Sequence, residues 1–177
     1  FPYTTLFRSV KHIELAIDAL EKLQEQYPEV RLLIIGTTID PEYSRQIIKR
    51  IENLSWVTYL GEVPHEEMKN ILLLGDVVIN TSWAEGQPQG ALEAMSLGKP
   101  AILTAVPGNL NIITPGQEGF YIKDVEELRT AAESLIRDTA LRKTMGSKAQ
   151  KLVETRFTTS QEINRYEELY CGILRGC

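Results

Sequence analysis

The chain has 177 residues and a formal net charge of -5 at pH 7, with 43% hydrophobic and 24% charged residues. This length suits one well-buried domain, and a mildly acidic chain without a basic run argues against a nucleic-acid-binding protein, which needs clustered Lys and Arg. No apolar segment approaches the roughly 20 residues that cross a bilayer, and no secretory signal pattern is present, so we expect a soluble, cytoplasmic protein.

The first nine residues, FPYTTLFRS, are interpreted separately. They resemble the translation of a common sequencing-library adapter, so we expect Phe1–Ser9 to be an artefact. Residues 10–177 are then the domain to be explained. Its two cysteines, Cys171 and Cys177, stand near the C-terminus without a His or a second Cys pair to complete a zinc site. We expect both thiols to be reduced.

Helical and strand-like segments alternate from Val10 onward. The spacing of apolar residues predicts helices over 12–27, 40–54, 65–74, 88–98 and 124–138, with two more ending near Ile173. Short apolar runs predict strands at 31–36, 56–61, 76–81, 100–104 and 119–122. Strands alternating with helices of this length predict an α/β fold with a doubly wound, mostly parallel, Rossmann-like sheet and extra C-terminal helices.

In such a sheet the ligand lies at the carboxyl ends of the strands. The loop after the first strand, GTTIDP, lacks the G-x-G-x-x-G pattern, and the chain has no G-x-x-x-x-G-K-[ST] segment. These absences argue against a nicotinamide-dependent dehydrogenase and against P-loop kinases and ATPases.

The loop after the strand DVVINT, which reads SWAEGQPQGALEAM, carries the chemistry. Gly86, Pro88 and Gly90 allow close backbone approach, and the helix from about Pro88 presents its first-turn amides to the crevice. Amides at a helix N-terminus bind anions, and a diphosphate is the ligand we expect. Glu85 and Glu93 flank this turn. Eight residues of continuous helix would separate their backbones by about 12 Å, whereas a glycosidase carboxylate pair stands about 5 to 9.5 Å apart.

The same stretch resembles the E-x7-E motif of the retaining glycosyltransferases of family 4, in the pattern S-x-x-E-G-x-P-x-x-x-L-E-A-M-x-x-G-x-P. The resemblance runs from about Val10 to about Ile173 and corresponds to the C-terminal, donor-binding half of a GT-B fold. The following loop reads Pro107-Gly108-Asn109 where the family usually has a Gly-Gly pair, a form similar to the glycosyltransferase 1 domain-containing proteins. The resemblance implies a retaining hexosyltransferase that needs no metal and no cofactor, with a UDP- or GDP-linked sugar as its donor substrate.

Carried over to this chain, the motif implies individual roles. Glu93 would accept hydrogen bonds from the ribose hydroxyls, and Glu85 would contact the donor sugar. Lys11 matches the lysine of the family's R-x-x-K segment and would neutralise the departing diphosphate, since a fixed cation stabilises charge that develops on a leaving group. Arg8, inside the suspected adapter, would be its partner. The backbone expected to hold sugar and phosphate comprises Gly86, Gln87, Pro88, Gln89, Gly90, Ala91 and Leu92, and the residues expected to line a nucleobase pocket are Gly36, Gly61 and Val63.

The resemblance also implies that the acceptor site lies in an N-terminal domain that this chain lacks, so we expect the fragment to bind donor and to be inactive alone. A non-catalytic nucleotide-sugar-binding module and a GT-B-type epimerase are the alternatives. An epimerase would need an acid–base pair in the crevice and a phosphorylase a Schiff-base lysine. A receiver-like module would need a phosphorylatable Asp at a strand end, whereas Asp76 begins a strand.

Two further features carry expectations. Trp56 and Trp83, at strand ends, are expected in the core or in a pocket wall. The C-terminal segment EINRYEELYCGIL is amphipathic and is expected to pack on the domain or against the missing one, leaving an exposed apolar patch when that partner is absent.

Overall fold

The structure, a computed structural model, describes residues 8–175. Residues 1–7, which make up most of the suspected adapter, and Cys177 lie outside the described residues. The strands are β1 Leu32–Ile34, β2 Val57–Tyr59, β3 Val78–Asn80, β4 Ala101–Thr104 and β5 Gly119–Ile122. After a short 3-10 turn, Ser9–Lys11, the helices are α1 Ile13–Gln26, α2 Pro41–Ile51, α3 His65–Leu74, α4 Gln89–Ser96, α5 Val125–Arg137, α6 Thr139–Arg156 and α7 Thr159–Arg175.

The described strands form two parallel sheets, one of β1 and β2 and one in the order β3-β4-β5. Leu32 lies opposite Val57 in the first sheet, and Val78 lies opposite Ala101 in the second. Within residues 8–175 each strand and each α-helix overlaps a segment where the hydrophobic pattern predicts it, so the α/β fold class with parallel sheets is confirmed.

Helices cover both faces of the β3-β4-β5 sheet. Side chains alternate between the two faces along a strand, and in β4 Ile102 packs in a core with α1 and α5, while Ala101 and Leu103 pack in a second core with α4 and α6. All three side chains are fully buried. The apolar run AILT is therefore continuous because both faces of the strand are covered.

The start of α1 is fixed by α2. Asp40 caps α2 as predicted, since its carboxylate accepts a hydrogen bond from the Tyr43 amide at 3.1 Å. The buried Tyr43 hydroxyl then accepts from the Ile13 amide at 2.9 Å and donates to Glu14 at 2.6 Å. These bonds hold the first turn of α1, and with it the preceding residue pair Lys11–His12.

The apolar side chains of α7 are exposed. Leu169 is 57% exposed, and the other exposed apolar side chains of this helix include Ile163, Tyr166, Tyr170 and Leu174. The predicted apolar patch is present on this helix. Residues 8–175 contain no helix that combines the length and the apolar character needed to span a bilayer.

The contrast between core and α7 gives a stability prediction. Leu128 of α5 is fully buried, so Leu128→Ala is expected to lower the free energy of unfolding by about 2–5 kcal/mol through lost burial and a residual cavity. Leu169→Ala, the matched change on α7, is expected to alter it by less than about 0.5 kcal/mol. Urea denaturation followed by circular dichroism measures both, and equal losses would contradict the packing described.

Candidate functional site

The site is built around an ion pair between the start of the chain and the loop after β3. Lys11 Nζ lies 2.5 Å from Glu85 Oε1, although the two residues are 74 positions apart. The Lys11 side chain is 24% exposed and the Glu85 side chain 10%. The structure thus brings together the two residues that the sequence predicted to be catalytic.

One oxygen of Glu85 accepts three hydrogen bonds. Besides Lys11, the Asn80 amide donates to Oε1 at 3.0 Å and the Ser82 hydroxyl donates at 2.7 Å. Burial by itself raises the pKa of Glu85, but these three hydrogen bonds and the charge of Lys11 outweigh it and hold the pKa below its ordinary value of 4.5. Within residues 8–175 no hydrogen bond reaches Oε2, so an ionised carboxylate oxygen is available to a ligand.

Behind Glu85 lies a buried polar network that the sequence did not reveal. Asn109 is fully buried, and its amide donates to Asn80 Oδ1 at 3.2 Å and to the Thr104 carbonyl at 2.9 Å. Thr104 in turn donates its hydroxyl to the Ser82 carbonyl at 2.6 Å. Asn109, in the loop after β4, thereby holds the Asn80 side chain, and Thr104, at the end of β4, holds the Ser82 backbone. Buried polar groups need such partners.

Gly108 lets that loop approach Glu85. A Cβ added at Gly108 would stand 1.9 Å from the Glu85 carbonyl oxygen and 2.3 Å from its carbon, far inside contact distance. The Pro107-Gly108-Asn109 segment therefore uses its glycine for backbone packing and its asparagine for hydrogen bonding.

The backbone before α1 is hydrogen-bonded to the loop after β3, which carries Glu85. The Trp83 amide donates to the Val10 carbonyl at 2.8 Å, and the Thr81 hydroxyl donates to the Lys11 carbonyl at 2.8 Å. His12 has a left-handed conformation, with φ of 45°, and its ring stacks on the Trp83 ring at 4.1 Å between centroids. The two hydrogen bonds aim Lys11 at Glu85.

The turn from Gly86 into α4 leaves some of its amides without a protein partner. The Gly86, Gln87 and Gly90 amides donate to no group among residues 8–175, whereas the Gln89 amide donates to the Gln87 carbonyl. Ala91 and Leu92 both donate to the Pro88 carbonyl at 3.0 Å. The first turn of the helix thus closes on Pro88, and the amides of Gly86, Gln87 and Gly90 remain. That the backbone from Gly86 to Leu92 holds sugar and phosphate stays a prediction.

Glu93 lies on α4 and lines the same cavity as Lys11 and Glu85. Glu93 as a whole is half-buried, and its carboxylate makes no ion pair or side-chain hydrogen bond within the described residues. The cavity has a volume of about 1360 Å³ and continues from this polar mouth between β1 and β3 toward apolar side chains of α5. From Gln87 to Ala91 every residue of the turn contributes to its lining.

The three residues predicted for a nucleobase pocket cluster at the carboxyl ends of β1 and β2. The Gly36 amide donates to the Gly61 carbonyl at 2.8 Å, and Val63 is buried. They do not line the cavity, although the adjacent residues Ile35 and His65 do. Their role stays a prediction.

Other predicted features lie outside this cluster. The Arg8 side chain is exposed, and Trp56 is buried in the core as expected. Trp83 is 62% exposed, so it does not belong to the core. Among residues 8–175, no three His, Cys, Asp or Glu side chains come together as ligands for a metal ion.

The sequence of the chain is similar to those of known glycosyltransferases. The model of a family described as "Glycosyl transferases group 1" matches residues 2–152. Glycosyltransferase 1 domain-containing protein 1 of Xenopus tropicalis is 26% identical over 166 residues, which are 94% of this chain and 48% of that protein. N-acetyl-alpha-D-glucosaminyl L-malate synthase of Bacillus anthracis is 28% identical over 173 residues, 96% of this chain and 44% of that protein. The chain spans about half the length of these relatives.

A solved structure has the same fold. Anabaena Alr3699/HepE, in complex with UDP, superposes with a TM-score of 0.85 at 24% identity, over 96% of this chain and 47% of that one. The structural relatives are GT-B glycosyltransferases, so the predicted Rossmann-like half of a GT-B fold is confirmed.

The close packing at Gly108 predicts that an added methyl group is tolerated less well there than at Gly90, where space is available. Gly108→Ala is expected to lower the free energy of unfolding by about 1–3 kcal/mol, because its methyl group overlaps the Glu85 backbone. Gly90→Ala, where an added Cβ meets nothing within 4 Å, is expected to leave stability unchanged or slightly raised, since Ala favours a helix. Chemical denaturation of the two variants compares them, and a neutral Gly108→Ala would contradict the close approach.

The ion pair between Lys11 and Glu85 predicts how the stability of the chain depends on pH. Lys11→Met removes a hydrogen bond and a charge that lower the pKa of Glu85, so that pKa is expected to rise. A lowered pKa in the folded state contributes stability that is present above the ordinary value of 4.5 and is lost as the pH falls through the folded pKa. The stability advantage of the unaltered chain over Lys11→Met should therefore shrink below that pH.

Carboxyl-detected NMR titration measures the pKa, and denaturation at several pH values measures the stability. Lys22→Met is the matched control, because Lys22 pairs with Glu126 at 3.6 Å on the surface, where both side chains are about 60% exposed. If both variants left the titration of Glu85 unchanged, the assigned cause of its lowered pKa would be wrong.

Proposed function

The chain belongs to the glycosyl transferases group 1 family, and on that premise we propose that it binds a nucleotide sugar and forms the donor half of a retaining hexosyltransferase. The observation that carries this proposal is the ionised Glu85, held by Lys11, beside three unpaired amides at the start of α4. A negatively charged diphosphate suits the amides and the lysine, and sugar hydroxyls suit the carboxylate.

The amides of Gly86, Gln87 and Gly90 provide the phosphate site. They lie in the turn and first residues of α4, where the helix dipole favours a negative group. UDP, with which Anabaena HepE was crystallised, carries such a diphosphate. A UDP- or GDP-linked sugar is therefore the substrate class that we propose.

Lys11 acts on the leaving group. An ammonium has three N–H donors, and one is used on Glu85, so the others can donate to the diphosphate. As the bond between sugar and phosphate breaks, negative charge gathers on the phosphate oxygens, and a cation already fixed in place stabilises this charge without reorganising. The fastening of Val10 and Lys11 to the loop after β3 provides that fixed position.

Glu85 and Glu93 take different parts of the donor. Glu85 accepts a hydrogen bond from a sugar hydroxyl on its free Oε2, which its lowered pKa keeps ionised. Glu93, whose carboxylate has no protein partner in the described part of the chain, accepts from the ribose hydroxyls. Transfer with retention follows from the resemblance of the E-x7-E motif.

The whole protein is proposed to contain an acceptor domain besides this donor-binding half. The chain covers 48% of its Xenopus relative, which supports an acceptor domain outside these residues. We expect catalysis in the cytoplasm without a metal or a cofactor, and we expect these 177 residues to bind donor and to transfer nothing alone.

Calorimetric titration of the chain with UDP- and GDP-sugars tests donor binding. Glu93→Ala is expected to weaken binding about tenfold or more, because hydrogen bonds to a charged group contribute about 1.5–3 kcal/mol. Glu154→Ala, an exposed glutamate on α6 that does not line the cavity, is the matched control. A folded chain that binds neither donor, or equal affinities in both variants, would overturn the proposal.

A further inference from the structure

Trp83 is an exposed aromatic side chain in the loop that carries Glu85. The chain has two tryptophans; Trp56 is 5% exposed, whereas Trp83 is 62% exposed. Trp83 stands two residues before Glu85 in the same loop. Tyr and Trp are enriched at binding interfaces, because part of the ring is apolar and part can form a hydrogen bond.

The Trp83 ring is held rigidly. His12 stacks on one face, with 4.1 Å between ring centroids and an angle of 18° between the planes. The Trp83 amide is also fastened to the Val10 carbonyl at 2.8 Å. His12 maintains the stack in a left-handed backbone conformation that is costly for a residue other than glycine. A side chain fixed in advance loses little entropy when a ligand covers it.

The position of Trp83 separates it from the donor groups. Its neighbours Ser82 and Glu85 line the cavity together with Gly90 and Glu93, but Trp83 does not. The indole therefore stands outside the cavity that we assign to the donor, in the loop that carries Glu85 and against His12, which follows Lys11 in the chain. To react, a second substrate must come close to the donor sugar, which we assign to Glu85.

We propose that the outer face of the Trp83 indole, braced by His12, is a stacking platform for a pyranose ring of the acceptor, and that it adds to the groups of the acceptor domain outside these residues. This inference rests on the proposed function of the same site. A pyranose presents C–H groups on one face, and these complement the electron-rich face of an indole. The acceptor class is then a sugar or a glycoside, and Trp83 determines part of the acceptor specificity.

The two indole N–H signals of the 15N-labelled chain test the platform directly. Titration with methyl α-D-glucopyranoside is expected to shift the Trp83 signal and to leave the Trp56 signal in place as an internal control. Separate calorimetry with UDP is expected to give Trp83→Ala an affinity within about twofold of the unaltered chain. The glucoside is also expected to shift the His12 ring signals of the unaltered chain, because that ring stacks on Trp83. This shift is expected to be lost in Trp83→Ala.

The outcomes distinguish the platform from the donor site. If the chain binds UDP but the Trp83 indole signal does not shift with the glucoside, the platform is contradicted and the proposed function still stands. A Trp83 signal that shifts with UDP, together with a tenfold or larger loss of UDP affinity in Trp83→Ala, would assign the ring to the nucleotide and also overturn it. A glucoside response without UDP binding would support the platform and contradict the donor proposal.

Discussion

A carboxylate kept ionised in a largely covered position is the constraint on which the rest of the site depends. The Glu85 side chain is 10% exposed, and removing a charge from water is costly unless charged and hydrogen-bonding partners compensate. Three donors converge on one of its oxygens, from Lys11 before α1, Asn80 at the end of β3 and Ser82 in the loop. The second oxygen is left for a ligand. The same three hydrogen bonds therefore offset the cost of burying the charge and orient the carboxylate for binding.

This arrangement couples parts of the fold that are distant in sequence. Asn109, from the loop after β4, donates to Asn80, and Thr104 donates to the Ser82 carbonyl, so the supports of Glu85 are themselves supported. At Gly108 the same loop lies directly against the Glu85 backbone. The loop after β4 therefore positions the Glu85 carboxylate through contacts within the protein. The amides of Gly86, Gln87 and Gly90, in the turn into α4, are left for a ligand.

The fold was largely predictable because its signals are local. The alternation of apolar runs and helical spacing located all five strands and all seven described helices, and Asp40 and Pro41 marked the start of α2 by their capping chemistry. Within the site, Glu85, Glu93 and the glycine-rich turn were identified from their spacing. Two details were not predictable: the first-turn amides of Ala91 and Leu92 close on Pro88, and Trp83 faces outward while Trp56 is buried. Both depend on the path of the chain through space.

By itself, the sequence determined the α/β class, the order of the elements and the loop that carries the two glutamates, since periodicity, capping and turn residues act over a few positions. Only the tertiary structure decided that Lys11 reaches Glu85 across 74 positions and that Asn109 stands behind it. It also decided that His12 stacks on Trp83. Contacts of this kind arise where separate strands end at one edge of a sheet, and no local pattern records which side chains meet there.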